Sequence, residues 1–273
     1  MHIIDGRKIA RDIEEKVRRT SAGKKIKIAT IVYEKNEESV LFARLKEKAF
    51  ERVGFDYESI YFDKIDEKRI EDTIKRLNED EKITGINIQL PLPGIDYNRI
   101  IKMIDVKKDI EGMHPLNLGK LLLGEEKLIP CTPKAILKIM KYEGIKLEGK
   151  NIVIINHSNI IGKPLSLLLL NRNATVSVCH VYTKNLKEYT LKADIIITAT
   201  GVKGLITKEH VRGGTIIIDA GIKKVDGKIY GDVDGSAAEV AEAITPVPGG
   251  VGPVTIASLL ENALLAYEMQ KGL

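Results

Sequence analysis

A lysine stands inside an apolar stripe. From Val40 onward, Phe42, Lys46, Ala49, Phe50 and Val53 recur at three- and four-residue intervals, which places Lys46 on the buried face of a helix. Two explanations stay open. A lysine at a core edge can lay its stem along apolar surface and keep its ammonium in water, and by placement alone that is the commoner arrangement. A lysine turned into a cleft is a different chemical object, because desolvation lowers its pKa and lets it move protons near neutrality. In TGINIQLPLP, Ile86, Ile88 and Leu90 alternate with Asn87 and Gln89. Gln89 falls at the carboxyl end of a strand, where α/β proteins bind ligands, and its amide both donates and accepts. A polar outer face of an edge strand accounts for the same alternation equally well. KKDIEGMHP gathers Asp109, Glu111 and His114 beside a glycine turn. Its two carboxylates share a face of extended chain and could clamp a substrate amine, although turns of this composition are usually just solvated.

A second constellation lies in NIVIINHSNIIGKP, residues 151–164, a buried strand running into a helix start. Where a dinucleotide turn has G-x-G-x-x-G, this stretch has Asn156, Ser158 and Gly162. Asn enters the left-handed region more readily than most residues, so Asn156 is expected to replace a turn glycine. Ser158 and free backbone N–H groups can meet a phosphate, and Pro164 fits the first position of a helix whose N-terminus attracts anions. A dinucleotide turn is favoured over a plain connection. Further along, TATG leaves Thr200 and Gly201 beyond one strand, and DAGI leaves Asp219 and Gly221 beyond another, where a nicotinamide would approach. CHVYTKN, after the second strand, offers no acid for a ribose 2′-hydroxyl but has His180, Thr183 and Lys184, which tilts the cofactor towards NADP. TPVPGGVGPVT, with Gly249, Gly250 and Gly252, is read as a ligand-contacting loop rather than a linker.

The elements that must carry these residues follow from period and punctuation. KIKIATIVY, DYESIYF and TGINIQLPLP read as strands, separated by helical patterns over 38–53 and in DEKRIEDTIKRLNED. After a helix at PCTPKAILKIMKYEG come NIVII, TVSVC, DIIITAT and TIIIDAG, short apolar strands suited to a parallel sheet covered on both faces. The chain of 273 residues is long enough for two domains, with a boundary near Cys131 to Lys134. The last helix carries Ile256, Leu259, Leu260, Ala263, Leu264 and Tyr267 on one stripe that must be buried somewhere.

Composition narrows the field. The net charge of +5 is modest and the basic residues are scattered, which gives no argument for nucleic acid. No apolar run approaches the roughly 20 residues of a membrane span. No secretory leader is visible, so a cytoplasmic location is expected. Cys131 and Cys179 have no zinc-site spacing, and no G-x-x-x-x-G-K-[ST] phosphate loop is present, so neither a metal nor ATP chemistry is expected.

Taken together, SVLFARLKEKAFERVGF, GINIQLPLP, KKDIEGMHPLNLGKL, PCTPKAI, SNIIGKP and TPVPGGVGPVT closely resemble the bifunctional methylenetetrahydrofolate dehydrogenase/methenyltetrahydrofolate cyclohydrolase family, in order and over essentially the whole chain. The resemblance implies a two-domain α/β fold. Residues 1–133 plus 253–273 would form the folate-binding catalytic domain, to which the last helix returns. Residues 134–252 would form a Rossmann-like NADP-binding domain, with the active-site cleft between the two and usually a homodimer. It implies oxidation of 5,10-methylenetetrahydrofolate by NADP, with NAD as the second choice, and hydrolysis of the methenyl product to 10-formyltetrahydrofolate, a step of one-carbon metabolism that feeds purine biosynthesis. By the same resemblance, Lys46 is the catalytic lysine and Gln89 the glutamine that works with it. Phe42, Glu111, Pro248, Gly249 and Gly250 hold the folate. Asn156, His157, Ser158, Gly162, Lys163, Pro164, His180, Thr183, Lys184, Thr200, Gly201 and Ile222 line the cofactor.

Three departures from the family pattern carry consequences. The usual tyrosine four residues before the lysine is Phe42, which keeps an aromatic face and loses a hydroxyl, so the hydrolase step is the more exposed of the two. The usual D-V-D-G aspartate is Glu111, one methylene longer. The usual G-R-S and H-S-R-T become Asn156-His157-Ser158 and His180-Val181-Tyr182-Thr183, which removes an arginine and a serine from the 2′-phosphate. His157, His180 and Lys184 are available to replace them, histidine gaining charge only as pH falls towards roughly 6.5. Two rivals therefore stand beside the bifunctional enzyme: a dehydrogenase whose hydrolase activity has decayed, and a non-catalytic folate or dinucleotide sensor.

Overall fold

The structure is a computed structural model that describes residues 1–273. It divides into two compact units, Asp12–Cys131 with Ile256–Leu273, and Met1–Arg11 with Thr132–Thr255. No helix is long and apolar enough to cross a membrane.

In the first unit, the second half of α1 (Gly6–Thr20), from Asp12 onward, leads to β2 (Lys27–Tyr33), α2 (Glu37–Arg52), β3 (Asp56–Phe62), α3 (Glu67–Glu79) and β4 (Gly85–Ile88). The strands form a parallel sheet in the order β3-β2-β4, as expected where a helix follows each strand. Asn36 caps α2, its side chain accepting from the Ser39 N–H at 2.8 Å, and Glu37 and Glu38 face the positive end of the helix dipole. Two short helices follow, α4 (Tyr97–Ile100) and α5 (Pro115–Leu122). Pro115 opens α5, and His114 caps it by accepting from the Leu116 N–H.

The stripe anticipated on the last helix, α9 (Val251–Lys271), has found its cover. Leu259, Leu260, Ala263 and Leu264 pack with Phe50, Val53, Ile28 and Val17 in one buried cluster. Asn262 on the same helix is fully buried and donates to the carbonyls of Ile110 and Ile129 at 2.8 and 2.9 Å, holding those segments against the helix. The opposite face of the sheet buries Ile31, Ile86 and Ile88 against Ile70, Ile74 and Ile104.

The second unit begins with β1 (His2–Ile3) and resumes at α6 (Cys131–Tyr142), β5 (Asn151–Ile155), α7 (Gly162–Leu170), β6 (Thr175–Cys179), α8 (Leu186–Thr190), β7 (Ile195–Thr198) and β8 (Ile216–Asp219). A hairpin, β9 (Lys223–Val225) and β10 (Lys228–Tyr230), and a last short strand, β11 (Ala243–Ile244), complete it. The six-stranded sheet runs β1-β11-β8-β7-β5-β6, with parallel pairing throughout. From β5 the chain steps to β6 on one side and returns to β7 on the other. That reversal makes the carboxyl ends of β5 and β7 the switch point where such sheets take ligands. The two-residue strands β1 and β11 lie outside the sequence reading, being too short to show any period.

Candidate active site

The geometry removes one of the two explanations of Lys46. Its Nζ donates to Asn87 Oδ1 at 2.9 Å and lies 3.6 Å from Glu111 Oε1. The ammonium has turned to a buried amide and a carboxylate, with only 15% of its side chain exposed. Snorkelling to water is not what this lysine does. The helical stripe explains the position: Ala49 and Phe50, below it on α2, are fully buried, so Lys46 is carried over the sheet rather than away from it.

Asn87 is the residue the sequence reading passed over. It is 0% exposed, and its Oδ1 also accepts weakly from the Thr30 hydroxyl at 3.4 Å, across the β2–β4 register that opposes Thr30 and Asn87. A polar outer face on an edge strand is excluded by that burial. The signal was present in the alternation that put Asn87 and Gln89 on one side. Gln89 lies just past β4, donates from Nε2 to the Leu90 carbonyl at 3.0 Å, and leaves a buried Oε1 with no partner. A buried amide oxygen without a donor is uncommon and marks an acceptor available to a ligand. Phe42, half-buried, sits one turn before Lys46 on α2.

Glu111 arrives because its segment runs alongside β4, with Asp109 bridged to Ile86 and the Ile86 N–H donating to the Lys108 carbonyl at 2.8 Å. Gly85 is required there, since a Cβ would come within 2.3 Å of Ile110. Burial pushes the Glu111 carboxyl above its ordinary value; the Lys46 ammonium pulls it down, and the neighbouring Asp109 pushes it up again. Asp109 and Glu111 form neither the clamp that their spacing allowed nor a merely solvated turn. Asp109 is fully buried and its Oδ2 accepts from the His114 N–H at 2.7 Å and the Asn117 amide at 2.8 Å, tying the turn to α5. Asp109 shapes the loop, and Glu111 faces the lysine. Tyr57, another residue the sequence reading did not single out, is driven upward in pKa by burial, with Glu111 adding to the effect.

In the second unit the turn after β5 works differently from expectation. Asn156 is not among the residues with positive φ, which outside glycine are Asn173, Asn185 and Asp226. It does not imitate a left-handed glycine; its side chain builds the turn. Its Oδ1 accepts from the Ser158 N–H and hydroxyl at 2.8 Å each and from the Gly162 N–H at 3.0 Å. Its Nδ2 donates to the Ala199 carbonyl at 2.7 Å, linking the ends of β5 and β7 at the switch point. Gly162 allows α7 to start against the strand, because a Cβ there would sit 1.9 Å from the Asn156 carbonyl oxygen. Ser158 also accepts from the Ile161 N–H at 3.1 Å, so its hydroxyl belongs to the turn. Pro164 does not open α7, which begins two residues earlier at Gly162; it is buried in the first turn, where the missing N–H needs no partner within the helix. What faces outward is Lys163, whose ammonium donates to Asn159 at 2.7 Å and keeps protons to spare.

His157 and His180 are brought together, their rings 4.8 Å apart at the ends of β5 and β6. Thr183 folds back, its hydroxyl accepting from the His180 N–H at 2.9 Å, and Lys184 is exposed beside it. Beyond β7, Thr200 is exposed and Gly201 has φ +70°; Ile222, beyond β8, is 50% exposed. Asp219, expected at the ligand, is instead 3% exposed and turned into the protein. The loop at Pro248 exposes the proline and buries Gly249 and Gly250. Its glycines answer to close packing: Gly6 admits no Cβ, which would fall 1.9 Å from the Gly250 carbonyl oxygen, and Gly249 lies against Arg7 at φ +114°.

The chain is similar to known proteins along its whole length. Residues 4–111 match the model of the tetrahydrofolate dehydrogenase/cyclohydrolase catalytic domain, and residues 130–271 match its NAD(P)-binding domain. The bifunctional protein FolD of Methanosarcina acetivorans is 44% identical over 97% of this chain and 96% of its own. The crystal structure of the bifunctional FolD enzyme of Campylobacter jejuni superposes with a TM-score of 0.95 at 40% identity, covering 99% of each chain. The Trypanosoma brucei dehydrogenase-cyclohydrolase, solved with NADP cofactor and an inhibitor, gives a TM-score of 0.94 at 33% identity over 98% of each chain. The paired domain matches, and relatives this similar along their whole length, establish that the chain belongs to the tetrahydrofolate dehydrogenase/cyclohydrolase family.

Proposed function

We propose that this chain oxidises 5,10-methylenetetrahydrofolate to 5,10-methenyltetrahydrofolate with NADP and hydrolyses the methenyl product to 10-formyltetrahydrofolate. The observation that carries the reading is the Lys46 ammonium held between Asn87 and Glu111. Hydrolysis adds water at an electron-poor one-carbon bridge, and the water must lose a proton as the new C–O bond forms. Lys46 takes this proton in its amine form and becomes the ammonium that Asn87 and Glu111 hold, with Gln89 Oε1 free to accept from the reacting water or the substrate. Glu111, half-buried and kept near a cation, takes a pterin N–H donor, and Phe42 gives the ring a flat apolar face. By the family resemblance, Pro248, Gly249 and Gly250 are assigned to folate as well.

The residues at the switch point suit NADP. A glycine whose Cβ place is filled, a turn locked by Asn156, and a histidine pair with no acid after β6 make a site for phosphates rather than for a free ribose 2′-hydroxyl. Asn156, Ser158, Gly162, Lys163 and Pro164 would hold the pyrophosphate; His157, His180, Thr183 and Lys184 the 2′-phosphate; Thr200, Gly201 and Ile222 the nicotinamide. The bound cofactor supplies the hydride acceptor. We further propose that the protein acts in the cytoplasm as a homodimer, which sedimentation of the purified protein would test.

Purified protein given 5,10-methylenetetrahydrofolate with NADP or NAD should form reduced nicotinamide, and methenyl product should then decay faster than without enzyme. No turnover with either cofactor would leave only a binding protein. Phe42 favours a second reading, a dehydrogenase with weak hydrolase activity. On that reading Phe42→Tyr accelerates methenyl decay severalfold with the dehydrogenase rate preserved, and an unchanged decay rate would dismiss the missing hydroxyl as a cause.

A further inference from the structure

Two carboxylates lie buried under the carboxyl ends of β7 and β8. Asp232, 0% exposed, follows β10, and Asp219, 3% exposed, ends β8. Asp232 Oδ2 accepts from the Thr198 hydroxyl and the Thr200 N–H, each at 2.6 Å, and Oδ1 accepts from the Val202 N–H at 3.0 Å. All of these donors lie on one stretch that leaves β7 and contains Gly201. On its other side Asp232 is closed in by Gly221, where a Cβ would come within 2.0 Å of Oδ1. Asp219 holds the assembly from behind, accepting from the N–H groups of Gly221, Asp232 and Val233 at 2.9, 3.2 and 3.0 Å.

Burying a carboxylate is costly, and a well-packed apolar group would serve a core at least as well. Here the strapped residues are not core: Thr200 is exposed and Ile222 is half-exposed. What the carboxylate gains is the position of surface groups. Backbone N–H groups and a hydroxyl converge on two oxygens, a pattern only an ionised acid satisfies in full, through short charge-assisted bonds.

We propose that Asp232 is a positioning residue of the dehydrogenase site, setting the Thr200–Val202 loop and, through Gly221, the Ile222 loop against the nicotinamide. The proposal rests on the reading of Thr200, Gly201 and Ile222 as the nicotinamide end. Asparagine at 232 turns one oxygen into a donor and leaves at least one backbone N–H without an acceptor, while the volume stays the same. The positioned groups touch the reacting end of the cofactor and not its phosphates, so the effect belongs in turnover rather than in affinity.

The test uses the full chain and compares Asp232→Asn, Thr198→Val and Thr198→Ser with the unsubstituted protein. Dehydrogenase kcat should fall about tenfold or more in Asp232→Asn. Calorimetric NADP affinity and methenyl hydrolysis should each stay within about threefold, a loss of less than one hydrogen bond. The fluorescence of bound NADPH should shift, and the Thr200 and Val202 amides should exchange faster with deuterium. Thr198→Val should show a smaller loss of kcat that Thr198→Ser restores, which keeps the proposal testable if Asp232→Asn does not fold. Unchanged kcat, or equal losses in both activities with affinity, would overturn it as a positioning role. An unsubstituted chain that hydrolyses methenyltetrahydrofolate without any dehydrogenase activity would overturn the cofactor reading itself, and the proposal with it.

Discussion

Lys46 and Asn87 meet across 2.9 Å, an ammonium from α2 on an amide oxygen from β4. One comes from a helical stripe and the other from the face of a strand, and the β2–β4 register that sets Thr30 opposite Asn87 fixes the acceptor. Lys46→Met should therefore cut methenyl hydrolysis by about a hundredfold or more, the usual scale for a general acid/base, while NADP still binds. Asn87→Ala leaves the lysine in place but unanchored and should cost about tenfold. The double variant should be no worse than Lys46→Met alone, because the two act as one unit. Additive losses would mean that Asn87 acts elsewhere.

His157 stands where the family resemblance leads one to expect an arginine, and its ring lies 4.8 Å from His180. Arginine is always charged and binds phosphate through a planar fork. His157→Arg should lower the KM for NADP about tenfold and leave that for NAD unchanged. A shift of both constants together would place position 157 away from the 2′-phosphate.

Asn156 gives a sharper test of how the turn is made. Were it only a stand-in for a left-handed glycine, Asn156→Gly would be neutral. Its amide instead makes bonds to Ser158, Gly162 and Ala199. Glycine should lower stability by about 1–3 kcal/mol and weaken NADP binding, as read by thermal unfolding and calorimetry.

Asp219 gives a pH dependence with a definite sign. Burial raises its carboxyl to about 6, against N–H bonds that lower it. In the unfolded chain an aspartate titrates near 3.9. The folded state thus holds its proton more tightly, so this stabilisation is complete below about 3.9 and is lost as pH rises through about 6. An asparagine does not titrate. The Tm advantage of the unsubstituted chain over Asp219→Asn should therefore be larger at pH 5 than at pH 7.5, by roughly 2 °C or more. A smaller advantage at pH 5 would show that the N–H bonds win over burial.

Much of the fold was legible because it rests on local period and punctuation. The strands β2, β3, β5, β6, β7 and β8 and the helices α2, α3 and α9 each show apolar spacing over enough residues to be read alone. β1 and β11, of two residues each, show none, and only the sheet that gathers them makes them strands. Residue types also singled out Lys46, Gln89 and Glu111 before any contact was known, and Lys46 and Glu111 prove to be neighbours.

What the amino-acid order determined by itself was the list of parts: two α/β units, a misplaced lysine, a turn opening a helix, glycines at strand ends, and a family resemblance along the whole chain. Tertiary structure decided what those parts do to one another. It turned Lys46 to Asn87, drew Asp109 into the loop while leaving Glu111 at the lysine, and gave Asn156 a side-chain role in place of a backbone one. It also sank Asp219 and Asp232 beneath the groups they hold. The physical reason is that spacing along a chain fixes which face a residue lies on. Hydrogen-bond partners and burial depend on segments that are far apart in sequence and meet only through strand register and packing.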